Sequence, residues 1–339
     1  MQLVTSLTVD ASLLRKLLRL WDEGGDPRNP FSAVLVTPLF SSPSTLQLIR
    51  EELKERRGAT VYFDSGGYYA QQGKISFDDL YRTLRDYYQN PDNQWADWYV
   101  LPDDVPTSID TPATVEEKVN NTITASRMLL AELTTSMQGR CLPVIQGHTF
   151  DQVNRCIEAY RRLGLEYVGF GSFGTNGTNN SINVADNRSA AIVAHVARDL
   201  GNHSRLHTFG VSTPPVVYAL QKLGVYSFDS LAWQRSAGFG KVYLPFTRAY
   251  NVSHRSTKNT ALTETEFRLI KERTGHYCPF CVNFQQLSEN RLYRSLHNLV
   301  AVMETVEPTN QRDEISIASL VAWKSQRYYK LFEEIYLVR

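Results

Sequence analysis

Residues 60–68 read TVYFDSGGY: a short apolar run, an acid at its end, then two glycines. Residues 98–104, WYVLPDD, and 226–230, YSFDS, repeat the pattern of an apolar run closed by an acid. Apolar runs of this length without strict alternation fit strands buried on both faces. Eight occur, at 3–7, 33–36, 60–63, 98–101, 142–145, 167–170, 207–211 and 226–228. Helix-like stretches separate them at 12–21, 43–56, 76–88, 114–135, 150–163, 187–200 and 214–223. Ser44 and Thr149 read as starting caps, and Thr213-Pro214 as a helix start. This repetition predicts βα units and a parallel sheet. A closed (β/α)8 TIM barrel and an open doubly wound sheet both satisfy it. The count of eight favours the barrel, and no G-x-G-x-x-G follows the first run, which disfavours a dinucleotide-binding sheet.

The composition is that of a folded α/β chain. With 339 residues, 42% hydrophobic and 21% charged, it can bury a core without disulfide staples, which excludes disorder and a cysteine-rich mini-scaffold. Thirty-six Lys and Arg stand against 35 Asp and Glu, so there is no global polycation, and nucleic-acid binding would need a local basic patch. No apolar run approaches the ~18 residues of a membrane span. The first residues lack a basic region followed by an apolar one. A cytoplasmic protein without a membrane partner is expected.

In a β/α barrel the C-terminal ends of all strands meet at one face. Asp64, Asp103 and Asp229 close three of the runs and would converge there. Paired carboxylates at such a mouth suit displacement at an anomeric carbon, one as nucleophile and one as general acid and base. Any one of them alone reads equally well as a helix cap or turn residue. Gln146 ends another run with an amide that both donates and accepts, as a reader of a base edge must. Gly171 puts a small residue at the mouth, where a flat ligand can approach backbone. Tyr68 could stack on a heterocycle or pack at the rim.

After residue 235 the alternation stops. Residues 235–300 carry ten Lys and Arg against four Asp and Glu. That surplus reads either as a solvated surface or as a phosphate-contacting face. The same segment holds His276-x-Cys278-x-x-Cys281 and, further on, His297. Four such ligands would complete a closed tetrahedral zinc site, structural because no water position remains. A redox C-x-x-C is the other reading, without the strand–helix context it usually has. Cys141 and Cys156 read as buried apolar residues. The expected organisation is a catalytic barrel over 1–234, a basic zinc-binding insertion over 235–300, and a helical segment over 301–339 packing back on the barrel.

Taken in order, these motifs resemble the tRNA-guanine transglycosylase superfamily. Asp64-Ser65-Gly66-Gly67-Tyr68 is similar to its DSGG-aromatic motif, and Gln146-Gly147 to its V-Q-G. Phe209-Gly210-Val211-Ser212-Thr213-Pro214 resembles its G-V-G-T-P turn. Phe228-Asp229-Ser230 followed by Arg235 resembles F-D-C with its Arg, and His297-Asn298-Leu299 resembles H-N-L. Gly171 falls at the Gly-Gly loop, with one of the two glycines kept. The resemblance implies a (β/α)8 barrel with a zinc-pinned insertion, and base exchange through a covalent Asp–C1′ intermediate. It implies Asp229 as nucleophile and Asp64 as general acid and base. Asp103, Gln146 and the Gly171 backbone would read the guanine edge, Tyr68 would stack on the base, and Gly210 would join them in substrate binding. Arg235, Arg255 and Lys258 would contact nucleic acid.

The departures narrow the resemblance. His276 stands where the family's zinc motif begins with Cys, and the chain lacks the long RNA-binding extension of archaeal members. Both features resemble the DpdA-type branch, which inserts 7-deazaguanines into DNA in bacteria and phages. The expected partners are therefore DNA and a 7-deazaguanine base such as preQ0, with a homodimer or helper proteins of a DNA-modification system. A shortened tRNA enzyme and a non-catalytic partner subunit are the competing readings.

Overall fold

Nine short strands, all parallel, build the central sheet of the computed structural model: β1 Gln2–Ser6, β2 Ala33–Val36, β3 Thr60–Phe63, β4 Trp98–Val100, β5 Cys141–Leu142, β6 Val144–Ile145, β7 Tyr167–Phe170, β8 Arg205–Thr208 and β9 Ser227–Ser230. The structure describes residues 1–171, 187–201, 203–211, 213–253, 261–306 and 314–324. The strand order is 5-4-3-2-1-9-8-7-6. β5 and β6 are one stave interrupted at Pro143, which has no N–H for the ladder. That stave closes the ring: Tyr99 lies opposite Cys141 on one side, and Val144 opposite Gly169 on the other. The sheet is thus an eight-staved barrel ringed by helices, as the spacing of the apolar runs predicts.

Alternation along each stave sorts side chains into two cores. Val4, Ala33, Leu35, Tyr62, Leu142 and Tyr167 fill the barrel interior. Val34, Val36, Val61, Phe63, Val168 and Phe228 face outward against the helices. Gly169 makes the interior packing possible, since a Cβ there would overlap the Phe209 ring and approach Leu142 to 2.9 Å.

The helices follow the capping chemistry with one correction. Thr149 caps helix Phe150–Arg162 with a full capping box. The helix Pro43–Leu48 is capped by Ser42 and not by Ser44: the Ser42 hydroxyl accepts from Thr45 N at 3.2 Å, and Pro43 takes the first turn where its missing N–H costs nothing. Two strands also shift. β8 runs Arg205–Thr208 rather than 207–211, because Gly210 turns the chain at φ +69°. β9 runs on to Ser230, so Asp229 lies within the strand, opposite Val4 of β1.

Beyond β9 come helix Ala232–Gly238, an antiparallel ribbon pairing Lys241–Val242 with Tyr250–Asn251, and helix Glu264–Thr274. A turn at Pro279–Cys281 and helix Phe284–Glu289 lead into helix Arg291–Val306. This last helix packs on Pro214–Lys222 and Ala232–Gly238, so the boundary expected at residue 300 falls inside a helix seated on the barrel. The turn is seated on the barrel too: Phe280 packs on Trp21 at 5.3 Å between ring centroids, and Arg28 donates to the Tyr277 carbonyl at 2.8 Å. Among the described residues no helix is long and apolar enough to cross a membrane.

Candidate active site and metal centre

Three carboxylates gather at the C-terminal face. Asp64 follows β3 directly; its N–H donates to Val36 O at 2.9 Å, and its Oδ2 accepts from Thr37 Oγ1 at 2.8 Å. Asp103 is buried just past β4, where Oδ1 accepts from Ser65 Oγ at 2.6 Å and Oδ2 from Gln146 Nε2 at 2.7 Å. Asp229 accepts from Ser6 Oγ at 2.5 Å on Oδ2 and from Gly210 N at 2.8 Å on Oδ1.

The glycines make these contacts possible. Gly66 holds φ +82°, a conformation that L side chains rarely adopt. A Cβ on Gly67 would sit 2.5 Å from Asp103 Oδ1 and 2.6 Å from its carbonyl oxygen. A Cβ on Gly171 would sit 2.5 Å from Gln146 Nε2. Any side chain at either position would wedge the Asp103–Gln146 pair apart.

Burial pushes the Asp64 carboxyl up to about 7; the negative charges of Asp103 and Asp229 add to this, and the Thr37 hydrogen bond opposes it. Burial likewise pushes Asp103 up to about 6, against the Ser65 and Gln146 hydrogen bonds. Near neutral pH a sizeable fraction of Asp64 therefore carries its proton. Asp229, by contrast, is held between a hydroxyl and a backbone N–H, donors that an ionised carboxylate accepts. Two carboxylates at the same end of the barrel, in unlike settings, are the residue types that displacement at an anomeric carbon needs.

A second cluster lies where helix Arg291–Val306 packs on the turn Pro279–Cys281. His276, Cys278, Cys281 and His297 are all buried, with one ligand atom from each lying within 4.8 Å of the others. His276 Nε2 is 3.2 Å from His297 Nδ1, and Cys278 Sγ is 3.3 Å from both Cys281 Sγ and His297 Nδ1. A tetrahedron with bonds of about 2.0–2.3 Å has edges of roughly 3.3–3.8 Å, so the pocket has the size of a four-coordinate metal site. The outer nitrogens are engaged, which aims the inner ones: His276 Nδ1 on Glu304, and His297 Nε2 on the Tyr243 carbonyl at 2.7 Å. Glu304 is itself held by Arg28 Nη1 at 2.6 Å. The hydrogen bond from Cys278, helped by both histidines, holds the Cys281 thiol far below its usual range. These four side chains can hold a metal ion.

A family model described as queuine tRNA-ribosyltransferase matches residues 83–332. The chain belongs to this transglycosylase family. No curated protein matches it. As a guanine transglycosylase it is a pentosyltransferase, an enzyme that exchanges a base on a sugar. The matched span contains Asp103, Gln146, Asp229, His276, Cys278, Cys281 and His297, while Asp64 precedes it.

The other residues that the sequence places at the site divide. Tyr68 stands on the short helix Gly67–Gln71 at the rim, 36% exposed. Arg235 is exposed on helix Ala232–Gly238, close enough for its charge to act on the Tyr68 phenol. Gly210 donates its N–H to Asp229. Arg255 and Lys258 lie outside the described residues. Part of the basic surplus is structural: Arg294 is buried and donates to the carbonyls of Ala237, Leu287 and Ser288.

Sequence reading missed Ser6, Thr37 and His207. Ser6 ends β1 and Thr37 follows β2, so inspecting every strand end for hydroxyls, and not only for acids, would have found both. Asn298 was read only as part of a motif. Its Oδ1 accepts from Tyr243 N at 2.7 Å and its Nδ2 donates to the Trp233 carbonyl at 3.0 Å, which ties the metal-bearing helix to the segment after β9.

Proposed function

We propose that this enzyme exchanges guanine in DNA for a 7-deazaguanine base, preQ0 or a close relative, through a covalent bond between Asp229 and C1′. The observation that carries the reading is the gathering of carboxylates in unlike settings at one end of the barrel: Asp64, which burial pushes up to about 7, and Asp229, which accepts from Ser6 and Gly210. An oxygen of Asp229 attacks C1′ as the C1′–N9 bond breaks. Asp64 gives its proton to the departing guanine. The incoming base then loses its N9 proton to Asp64 and displaces Asp229 from the same face. Asp103 and Gln146 read the guanine edge, Gly171 lets the base approach the backbone, and Tyr68 stacks on it. A duplexed target would have to be unpaired and flipped into the pocket.

The metal is read as structural zinc, since an N2S2 shell is closed and leaves no position for a reacting water. Arg235, Arg255 and Lys258 contact the phosphates, and 235–300 is the zinc-binding insertion. DNA is favoured because His276 begins the metal motif where the tRNA enzymes have Cys. The family's description as queuine tRNA-ribosyltransferase favours tRNA, which is the second reading.

A base-exchange assay with labelled guanine decides between them. Duplex DNA, single-stranded DNA and bulk tRNA are offered in parallel, with unlabelled preQ0 as competitor. Label entering DNA alone, and chased by preQ0, is the expected result. Label entering tRNA alone would reverse the substrate while keeping the chemistry, and label entering none would remove the catalytic reading.

A further inference from the structure

Beneath Asp229 the barrel interior holds a line of polar side chains that the exchange reaction does not use. Tyr62 OH lies 3.1 Å from Tyr167 OH, Tyr167 OH 2.6 Å from Ser227 Oγ, and Ser227 Oγ 2.8 Å from His207 Nδ1. All four residues are buried. His207 Nε2 lies 3.5 Å from Asp229 Oδ1 and has no hydrogen-bond partner among the described residues. The strands impose this line. Ser227 and Asp229 are two apart on β9 and share its inner face, and His207 is the register partner of Ser227 on β8. The imidazole is clamped by Tyr62, near-parallel at 5.9 Å, and by the edge of Phe209 at 4.5 Å.

Each hydroxyl in the line has one proton to give and can accept two, so a neutral His207 ring takes one of two tautomers. If His207 Nδ1–H donates toward Ser227, Nε2 turns a lone pair on the Asp229 carboxylate. If Tyr62 donates to Tyr167, Tyr167 to Ser227 and Ser227 to Nδ1, then Nε2 carries the hydrogen and points it at Oδ1. A buried acceptor facing a carboxylate is repulsive, whereas a donor is favourable. An ionised Asp229 selects the second.

We infer that His207 is a positioning residue for Asp229: its Nε2–H, 3.5 Å from Oδ1, adds an electrostatic hold on that oxygen to the hydrogen bond from Gly210 N–H, and Tyr62, Tyr167 and Ser227 set its tautomer. The inference rests on the reading of Asp229 as nucleophile. Both donors favour the free carboxylate over its ester. They aim the attacking group in the first step and stabilise it as leaving group in the second. No proton is transferred to or from His207 in either step.

The test uses the full-length enzyme with guanine-containing duplex DNA and bulk tRNA in parallel. It reads kcat and KM for exchange, the amount of covalent adduct on Asp229 by mass spectrometry, and its release when preQ0 is added. Thermal unfolding verifies folding. His207→Leu is expected to lower kcat up to about tenfold, below the full worth of a hydrogen bond to a charged group because the contact is long, with KM little changed and adduct release slowed. His207→Gln, whose amide reaches the Nε2 position, restores most of the rate. Ser227→Ala, a milder change that keeps the ring, lowers kcat less and in the same step. The inference is overturned if His207→Leu releases adduct at the wild-type rate, or if Gln rescues no better than Leu in a folded protein. Should Asp229→Asn still form the adduct, the nucleophile assignment itself fails, an outcome separate from either.

Discussion

Gln146 Nε2 donates a hydrogen bond of 2.7 Å to Asp103 Oδ2. The glycines at 67 and 171 are what allow them to meet. Under the proposed base-reading role, the pair would meet a ring as one joined donor and acceptor edge instead of two independent side chains.

Gln146→Leu should accordingly raise KM for guanine about ten- to a hundredfold, because Asp103 loses a charge-assisted partner and the base loses an amide contact. kcat should change less. Steady-state kinetics against guanine and preQ0 measure both, and an unchanged KM would take Gln146 out of base recognition.

Asp229→Asn should abolish exchange with little loss of stability, since the amide fits the same space and keeps an acceptor for Ser6 or Gly210. The check is a turnover assay beside a thermal melt. Turnover at the wild-type rate would move the nucleophile elsewhere.

Asp64 sets a pH dependence of both activity and stability. As an acid held at about 7, it should make exchange fall as pH rises above 7. Stability follows the same sign. The folded carboxyl lies above its unfolded value, so between the ordinary carboxylate range and about 7 the folded chain binds more protons than the unfolded one, and stability declines as pH rises. Asp103, at about 6, adds a decline over a lower window. Urea unfolding of wild type and Asp64→Asn at pH 5 and pH 8 should show a smaller pH difference in the variant. An equal difference would mean that Asp64 has an ordinary carboxyl in the folded protein.

Cys278→Ser should release the metal and lower the melting temperature. Glu304→Gln should weaken metal affinity about ten- to a hundredfold while keeping the four ligands, by loosening His276. Elemental analysis and a chelator titration read the two effects. A metal content still at one per chain in Cys278→Ser would mean that another residue completes the shell.

Arg235→Glu should weaken nucleic-acid binding at low salt and reduce the salt slope by about one, the signature of a lost phosphate contact. Equal slopes in wild type and variant would place the phosphates on another surface.

The barrel was legible because its staves are short apolar runs punctuated by helices, and the metal cluster because His and Cys at such spacings have few other uses. The strand-end acids were legible for the same geometric reason. Other features depend on contacts that no local pattern encodes. The break at Pro143 is visible as a residue, but its place as the closing stave depends on two neighbours far apart in the chain. Arg294 reads as surface charge until the carbonyls of Ala237, Leu287 and Ser288 surround it. His207 sits in an apolar run and reads as core. It is core, and what distinguishes it is the carboxylate brought beside it by the next strand.

The hydrogen bond from Ser6 to Asp229 crosses the seam where the first stave of the ring meets the last, between residues 223 positions apart. During synthesis, a chain that has not yet delivered β9 has no carboxylate to hold, and one that has delivered it without docking on β1 has no hydroxyl to hold it. Docking of β9 on β1 is therefore what brings the two together. A half-unfolded copy in which these strands have parted keeps both residues in its sequence and loses the hydrogen bond between them.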